Sequence, residues 1–186
     1  MITKAQAQEE KLFQNSVAMT VTLIAFGMLF ATMFLGFFLV RFNTPVWPPV
    51  EIQNLPIFLP LLSTLVMGFS SFAYYKLEHT EAKREFYWKL TFSLGLLFLV
   101  LQYLVWGELN RRGIFVTNGQ VPSMVIAFSW VHAAHILLAL GALLWLRPFI
   151  FKKKEGLTPI KLINVGKFWH FLGVIWLLMY LMMFVL

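Results

Sequence analysis

Three of the four histidines lie in the last two apolar segments of the chain, and their side chains have the clearest capacity for chemistry. His132 and His135 are three residues apart, so they share one face of a helix. His170 opens the last apolar segment, inside the run Lys167–Trp176. Neutral imidazole nitrogens bind metals and haem iron. If these histidines hold a cofactor the chain is a redox carrier, and if they do not it is a structural subunit.

The depth of each histidine in its helix argues against one shared site. At 1.5 Å per residue, His135 lies roughly 18 Å from the helix end at Arg147, whereas His170 lies about 5 Å from Lys167 on the same side. Metal ligands must converge within a few ångströms, and a haem held by two histidines needs them at matching depth on two helices. We therefore expect no metal, haem or other cofactor in this chain. The alternative that stays open is a free-standing membrane di-haem electron carrier that uses His132, His135 and His170.

Gln102 and His132 are predicted to pair with each other inside the bundle. Gln102 lies roughly 9 Å from the outer end of its helix and His132 about 12 Å from the outer end of the next one, so the two side chains are at similar depth. Polar side chains in lipid are expected to find partners on neighbouring helices. The sequence therefore predicts a Gln102–His132 hydrogen bond worth about 1 kcal/mol or less. For His170, which follows Phe168 and Trp169, we expect an interfacial anchor or a contact to a lipid headgroup or to a partner.

The fourth apolar segment also carries small residues on the side away from its histidines. Ala127, Ala134 and Gly141 repeat every seven residues. Small residues let two helices approach each other closely in lipid. We therefore expect both faces of this helix to be buried.

The composition places the chain among membrane proteins. Hydrophobic residues make up 60% of the 186 residues and charged residues only 12%, whereas about a quarter of the residues of a soluble domain are charged. The net charge of +7 could indicate a nucleic-acid partner. The basic residues lie in short loops between apolar runs rather than on one face, so we expect no nucleic acid. The chain has no cysteine, which excludes disulfides and thiolate ligands.

Five apolar runs are long enough to cross a hydrocarbon core of about 30 Å. None of them contains Asp, Glu, Lys or Arg, so the carboxylate relay or ion pair that marks a proton or ion pathway is missing from the runs. Lipid offers the backbone no hydrogen-bond partner, which favours helices. The sequence predicts an all-α, polytopic membrane protein in which residues 1–186 form a single membrane domain. The predicted spans are about 17–40, 57–75, 90–107, 124–146 and 168–186.

The distribution of lysine and arginine predicts the orientation of the bundle. Twelve of these residues lie in the N-terminal tail and in the second and fourth loops, and three lie on the opposite side. Because positive charge accumulates in cytoplasmic loops, we expect a cytoplasmic N-terminus and, after five spans, a C-terminus outside. The mixed-charge loop Lys76–Lys89 is either a docking edge for a partner or a solvated helical extension.

Five short motifs follow one another along nearly the whole chain. They are Gly27–Phe30 with Trp47–Pro49, Ser70–Ser71, Gln102–Gly107, His132–His135 with Gly141, and Trp169–Phe171 with Trp176. In this order, on five helices, they resemble subunit III of the haem-copper terminal oxidases, the respiratory family that includes cytochrome c oxidase and bacterial quinol oxidases. The number of helices is similar to that of the short bacterial form.

The resemblance implies an accessory subunit that supports a catalytic partner. It implies that haem and copper lie in partner subunits, that the partners include the catalytic oxidase subunit I and other oxidase subunits, and that structural phospholipid is bound. It also implies support of proton uptake and a location in the bacterial cytoplasmic membrane. By this analogy, lipid contacts would involve Arg147, Trp169 and His170. A related subunit of a nitric oxide reductase is a further alternative.

Two positions depart from the family pattern. The pattern places an Asp in the last helix where this chain has Gly173. A glutamate common in the first core helix is absent, and Thr32 and Met33 lie near its place. Roles that the family assigns to those carboxylates cannot be transferred to this chain.

Overall fold

The chain folds into five long helices that are joined by short connections. The computed structural model describes residues 4–46, 49, 52, 55–151 and 159–185; Trp47 and Pro48 of the family-like motif lie outside the described residues. All five helices are long and apolar enough to cross a membrane, so the predicted all-α, multi-pass membrane fold is confirmed. The helices are α1 Lys4–Asn43, α2 Phe58–His79, α3 Arg84–Arg111, α4 Gln120–Phe151 and α5 Pro159–Tyr180, and α5 continues as a π-helical turn at Leu181–Val185.

The connections have local causes in the sequence. A 3-10 turn at Glu81–Lys83 joins α2 to α3. After α3 the chain turns at Gly113, whose φ of 74° lies in the left-handed region that favours glycine. Pro60 and Pro122 lie in the first turns of α2 and α4, where the missing N–H costs little.

Two tryptophans fix the register between α3 and α4. The indole Nε1–H of Trp88 donates to the carbonyl oxygen of Leu143 at 2.9 Å, near one end of the pair. The Nε1–H of Trp106 donates to the hydroxyl oxygen of Ser129 at 2.9 Å, near the other end. Interhelical hydrogen bonds replace the hydrophobic force that lipid cannot supply between helices. The two bonds therefore hold these antiparallel helices at both ends.

The pairing of α2 with α5 depends on hydroxyl groups. The Tyr74 hydroxyl donates to the carbonyl oxygen of Leu162 at 2.8 Å. Farther along the two helices, the Nε1–H of Trp176 donates to the hydroxyl oxygen of Thr64 at 3.0 Å. Both bonds join α2 to α5, so the hydroxyl side chains of α2 set the position of the last helix.

Helix α3 approaches α5 closely at a glycine. A Cβ atom placed on Gly95 would lie 2.7 Å from Cη2 of Trp169 and 2.9 Å from Cδ2 of Leu140. The Trp169 side chain is fully buried there. Only glycine leaves room for an indole at this distance, so α3, α4 and α5 meet at Gly95.

Helix α1 lies at the edge of the bundle and packs mainly against α4 and α5. Its contacts come from phenylalanines spaced three or four residues apart, which form one stripe. Phe34 stacks on Phe128 of α4 at 5.5 Å between ring centroids, and Phe26 stacks on Phe168 of α5 at 5.6 Å. In the most apolar window of α1 only 11% of the residues are buried within the chain. The rest of its surface faces outward.

The expectation that both faces of α4 are buried is wrong within this chain. Ala127, Ala134 and Gly141 are exposed, and a Cβ placed on Gly141 would meet no described atom within 4 Å. The reason is that the helices that pack against α4 gather around its histidine face.

The contact at Gly95 gives a direct test of the packing. We expect Gly95→Ala to destabilise the chain by about 1–3 kcal/mol, because the Trp169 indole is buried and cannot move away without displacing Leu140. The measurement is SDS-induced unfolding in mixed micelles. Gly107→Ala on the same helix is the control, because no described atom lies within 4 Å of its Cβ position. Equal stability of the two variants would contradict the packing described here.

Candidate functional site

His132 lies at the centre of the bundle. Its side chain is fully buried, and aromatic rings from three other helices surround it. The distances from the imidazole centroid are 6.3 Å to Phe30 of α1, 5.7 Å to Phe98 of α3 and 5.4 Å to Trp176 of α5. The imidazole therefore packs as one ring among the aromatic rings of the bundle, where four helices meet, and does not line an open cleft.

The predicted Gln102–His132 hydrogen bond is wrong. The contacts Gly95–Leu140 and Trp106–Ser129 set a register in which Gln102 lies level with the His132–Ala133 segment, as the depth argument requires. Both side chains are fully buried, yet neither the amide of Gln102 nor the imidazole of His132 has a hydrogen-bond partner in the described part of the chain. The depth of a residue in the membrane follows from the rise per residue. Whether two side chains form a hydrogen bond also depends on the rotation of each helix about its axis and on the side-chain rotamers, which the packing of neighbouring rings determines.

His135 is satisfied by its own helix. Its Nδ1–H donates to the carbonyl oxygen of Val131 at 2.7 Å. The ring meets Phe26 edge to face at 4.5 Å and lies 5.4 Å from Phe30. His135 thus holds α1 against α4, which is a packing role.

His170 lies on a different side of the bundle, at the contact between α2 and α5. Its Nδ1 forms a 2.9 Å hydrogen bond with the hydroxyl of Ser71, and its ring meets Tyr74 edge to face at 5.8 Å. The imidazole is half-buried. It borders a groove of about 310 Å³ between α2 and α5, which Gly68 and Gly173 also line. Gly173, where the family pattern has an Asp, therefore forms part of the groove wall.

Trp169 and Arg147, the other two expected lipid contacts, differ in exposure. Trp169 is fully buried against Gly95 and Leu140, so a lipid contact is not open to it and its role is packing. Arg147 is exposed at the end of α4, with Cζ 5.9 Å from the centroid of Phe151. Lys89 of α3 places its Nζ 5.4 Å from the same ring. Neither cation pairs with a carboxylate among the described residues.

The site residues identified from the sequence are therefore divided among three places. Four of them lie in the core: His132, His135, Gln102 and Trp169. His170 lies at the α2–α5 groove, and Arg147 lies near a helix end. Within the described ranges, no three His, Cys, Asp or Glu side chains come close enough to hold a metal ion. In the described ranges these side chains contribute packing contacts and surface charge.

Sequence reasoning did not identify the hydroxyl partners of the last helix. Thr64 bonds to Trp176 and Ser71 bonds to His170, and both hydroxyls belong to α2. Their spacing of seven residues on one apolar helix was the available signal, because it places both on one face.

Comparison with known proteins agrees with the five-helix architecture. Residues 5–186 match the family model described as cytochrome c oxidase subunit III. The chain is 23% identical over 176 residues to the cytochrome c oxidase subunit 3 of Synechocystis sp., in a match that covers 88% of this chain and 72% of that protein. It is 27% identical over 173 residues to the probable quinol oxidase subunit 3 of Staphylococcus haemolyticus, with 88% and 83% covered. For the cytochrome c oxidase subunit 3 of Struthio camelus the identity is 27% over 172 residues, with 81% and 63% covered.

The unpartnered Gln102 amide leads to a stability prediction. We expect Gln102→Met to leave the free energy of unfolding unchanged or to raise it by up to about 1 kcal/mol, because the variant removes a buried polar group that has no hydrogen-bond partner among the described residues. Ser129→Ala is the matched comparison, since it removes the acceptor of the Trp106 indole and is expected to cost about 1 kcal/mol. Both are measured by SDS-induced unfolding in mixed micelles. A loss of stability in Gln102→Met as large as that in Ser129→Ala would contradict the description of Gln102.

Proposed function

Because the chain belongs to the cytochrome c oxidase subunit III family, we propose that it is an accessory, cofactor-free subunit of a proton-pumping haem-copper oxygen reductase. The observation that carries the proposal is the family match over residues 5–186, which includes nearly all of the five helices. Haem and copper belong to partner subunits, and the reduction of oxygen to water takes place in the catalytic subunit I. This chain contributes to the stability of that subunit.

The surface of the bundle supports a role in assembly. Most of α1 and the small-residue face of α4 at Ala127, Ala134 and Gly141 are exposed within the chain. Lipid tails are as apolar as leucine, so close packing at small residues is what favours protein over lipid as a neighbour. The catalytic subunit and other oxidase subunits are the proposed partners of these faces.

We also propose that the chain binds a phospholipid at the ends of α3 and α4. Lys89 lies on α3 and Arg147 on α4. Both cations contact the Phe151 ring, and both are exposed. Two cations at headgroup depth fit an anionic phosphate. The half-buried His170 at the α2–α5 groove is a second candidate contact for lipid.

Support of proton uptake is the third proposed role, and it acts through the catalytic subunit. The five apolar runs contain no acidic side chain, and Gly173 occupies the position of the Asp in the family pattern. A proton relay made of carboxylates is therefore not available in these runs. The contribution of this chain is to keep the neighbouring subunit and its lipid in place.

The proposed location is the cytoplasmic membrane of a bacterium, with the N-terminus inside. The excess of lysine and arginine at one end of the bundle supports this orientation. Relatives are named both as cytochrome c oxidase and as quinol oxidase subunits. Membership of the family therefore does not distinguish cytochrome c from quinol as the electron donor, and the partner subunits determine the donor.

Purification of the complex tests the assignment. A tagged copy of the chain, extracted in mild detergent, is expected to retain a catalytic subunit that carries haem and copper, whereas the chain separated in harsher detergent shows no Soret absorbance. Mass spectrometry identifies the partners, and the absorption spectrum identifies the haem. A stoichiometric Soret band in the separated chain supports the di-haem electron carrier instead. Co-purification with a nitric oxide reductase supports the alternative of a related subunit of that enzyme.

The proposed headgroup site has its own test. We expect the double variant Lys89→Gln/Arg147→Gln to lose bound anionic phospholipid, because it removes the two cations that lie beside Phe151. Native mass spectrometry of the purified complex measures the number of bound lipids. Arg111→Gln and Arg112→Gln together form the matched control, with the same change in charge at the opposite end of α3. Equal lipid loss in the two double variants contradicts a specific site.

A further inference from the structure

A cavity of about 380 Å³ lies where α2 ends and α5 begins. Glu78 and His79 of α2 line one side. Glu81 of the α2–α3 connection and Arg84, the first residue of α3, line the next. The apolar wall is formed by residues of α5: Pro159, Leu162 and Ile163. The cavity opens at the end of the bundle that is predicted to be cytoplasmic. It lies within the mixed-charge loop that the sequence marks as a possible docking edge.

Glu78 is held over a glycine of α5. A Cβ atom placed on Gly166 would collide with Oε1 of Glu78 and would lie 2.6 Å from Cε1 of Tyr74. Tyr74 is itself fixed by its hydrogen bond to Leu162. The side chain of Glu78 is half-buried, and in the described part of the chain its carboxylate has no hydrogen bond or ion pair. Gly166 therefore makes room for a carboxylate that forms no ion pair with the described residues.

The cations near this carboxylate are engaged elsewhere. Arg84 pairs with Glu81, with 3.4 Å between the guanidinium and carboxylate atoms. Lys76 lies over the ring of Phe72 at 5.4 Å. Lys161 of α5 lies over the ring of Phe149 at 4.6 Å. The attraction between a partly buried carboxylate and a cation is stronger when the site is shielded from water.

We propose that this cavity receives a lysine or arginine side chain from a polar segment of a partner oxidase subunit. The inference rests on the proposed function, since it supplies the partner. The cationic head pairs with Glu78, and the methylene stem packs on Leu162 and Ile163, as the stems of long basic side chains do on apolar surfaces. The contact is a point of subunit attachment at the membrane surface.

One further atom in the cavity wall has room for an acceptor from the inserted segment. The Nε of Arg84 is buried and has no hydrogen-bond partner in the described part of the chain. A main-chain carbonyl beside the inserted basic residue supplies an acceptor for this N–H. The phosphate oxygens of a zwitterionic lipid accept hydrogen bonds from arginine as well, so subunit retention and bound lipid are measured separately.

Two variants test the proposal by different routes in the intact complex. Glu78→Gln removes the charge, and Gly166→Ala keeps the charge but displaces the side chain. Glu85→Gln, an exposed carboxylate on α3, is the charge control, and Gly107→Ala, which meets no described atom within 4 Å, is the glycine control. The fraction of the chain that stays with the catalytic subunit after a salt wash is the measured quantity.

We expect both test variants to lower this fraction about fivefold, the scale of a partly shielded ion pair, and both controls to match the wild type. A carbodiimide cross-link from Glu78 to a lysine of another subunit supports the proposal directly. Equal retention of all four variants overturns it, as does a Glu78 cross-link that is confined to lysines of this chain. Loss of a bound aminophospholipid with unchanged subunit retention assigns the cavity to lipid and overturns it too. If the wild-type chain retains no catalytic subunit, the proposed function itself has failed.

Discussion

The contact of Trp169 with Gly95 is the constraint on which the rest of the bundle depends. Lipid supplies no hydrophobic force between helices, so their association rests on close packing and on hydrogen bonds. The missing side chain at Gly95 lets the buried indole of α5 reach α3 beside Leu140 of α4. Three helices meet at that point. Hydrogen bonds from Trp88 and Trp106 to α4, and from Tyr74 and Trp176 between α2 and α5, then fix the rotation of each helix around it.

The fold was predictable because the membrane imposes a simple rule. A run of about 20 apolar residues in lipid must be a helix, and the five runs are indeed helical. The small-residue face of α4 shows where this reasoning ends. Ala127, Ala134 and Gly141 indicate a surface suited to close contact, but the pattern does not say whether the neighbour belongs to the same chain. In lipid both surfaces are apolar, so composition cannot distinguish them.

The histidines show the same division between depth and rotation. Rise per residue separates His170 from the other two, and the structure places it at the α2–α5 contact with Ser71. Rise per residue also brings Gln102 level with His132, yet the two do not bond in the described chain. The rings of Phe30, Phe98 and Trp176 surround His132, and the mutual packing of these rings depends on four helices at once. The residue pattern of a single helix therefore does not predict how these rings pack.

The edge position of α1 has a consequence for biosynthesis. This helix is synthesised before α4 and α5, but the rings that hold it, such as Phe128 and Phe168, belong to those two helices. At ribosomal rates of about 5–20 residues per second, α1 waits on the order of 10 s before its contacts exist. During that interval it must remain in the membrane as a single helix. Its long, uninterrupted apolar run of 24 residues, 17–40, is therefore suited to insertion without help from its neighbours.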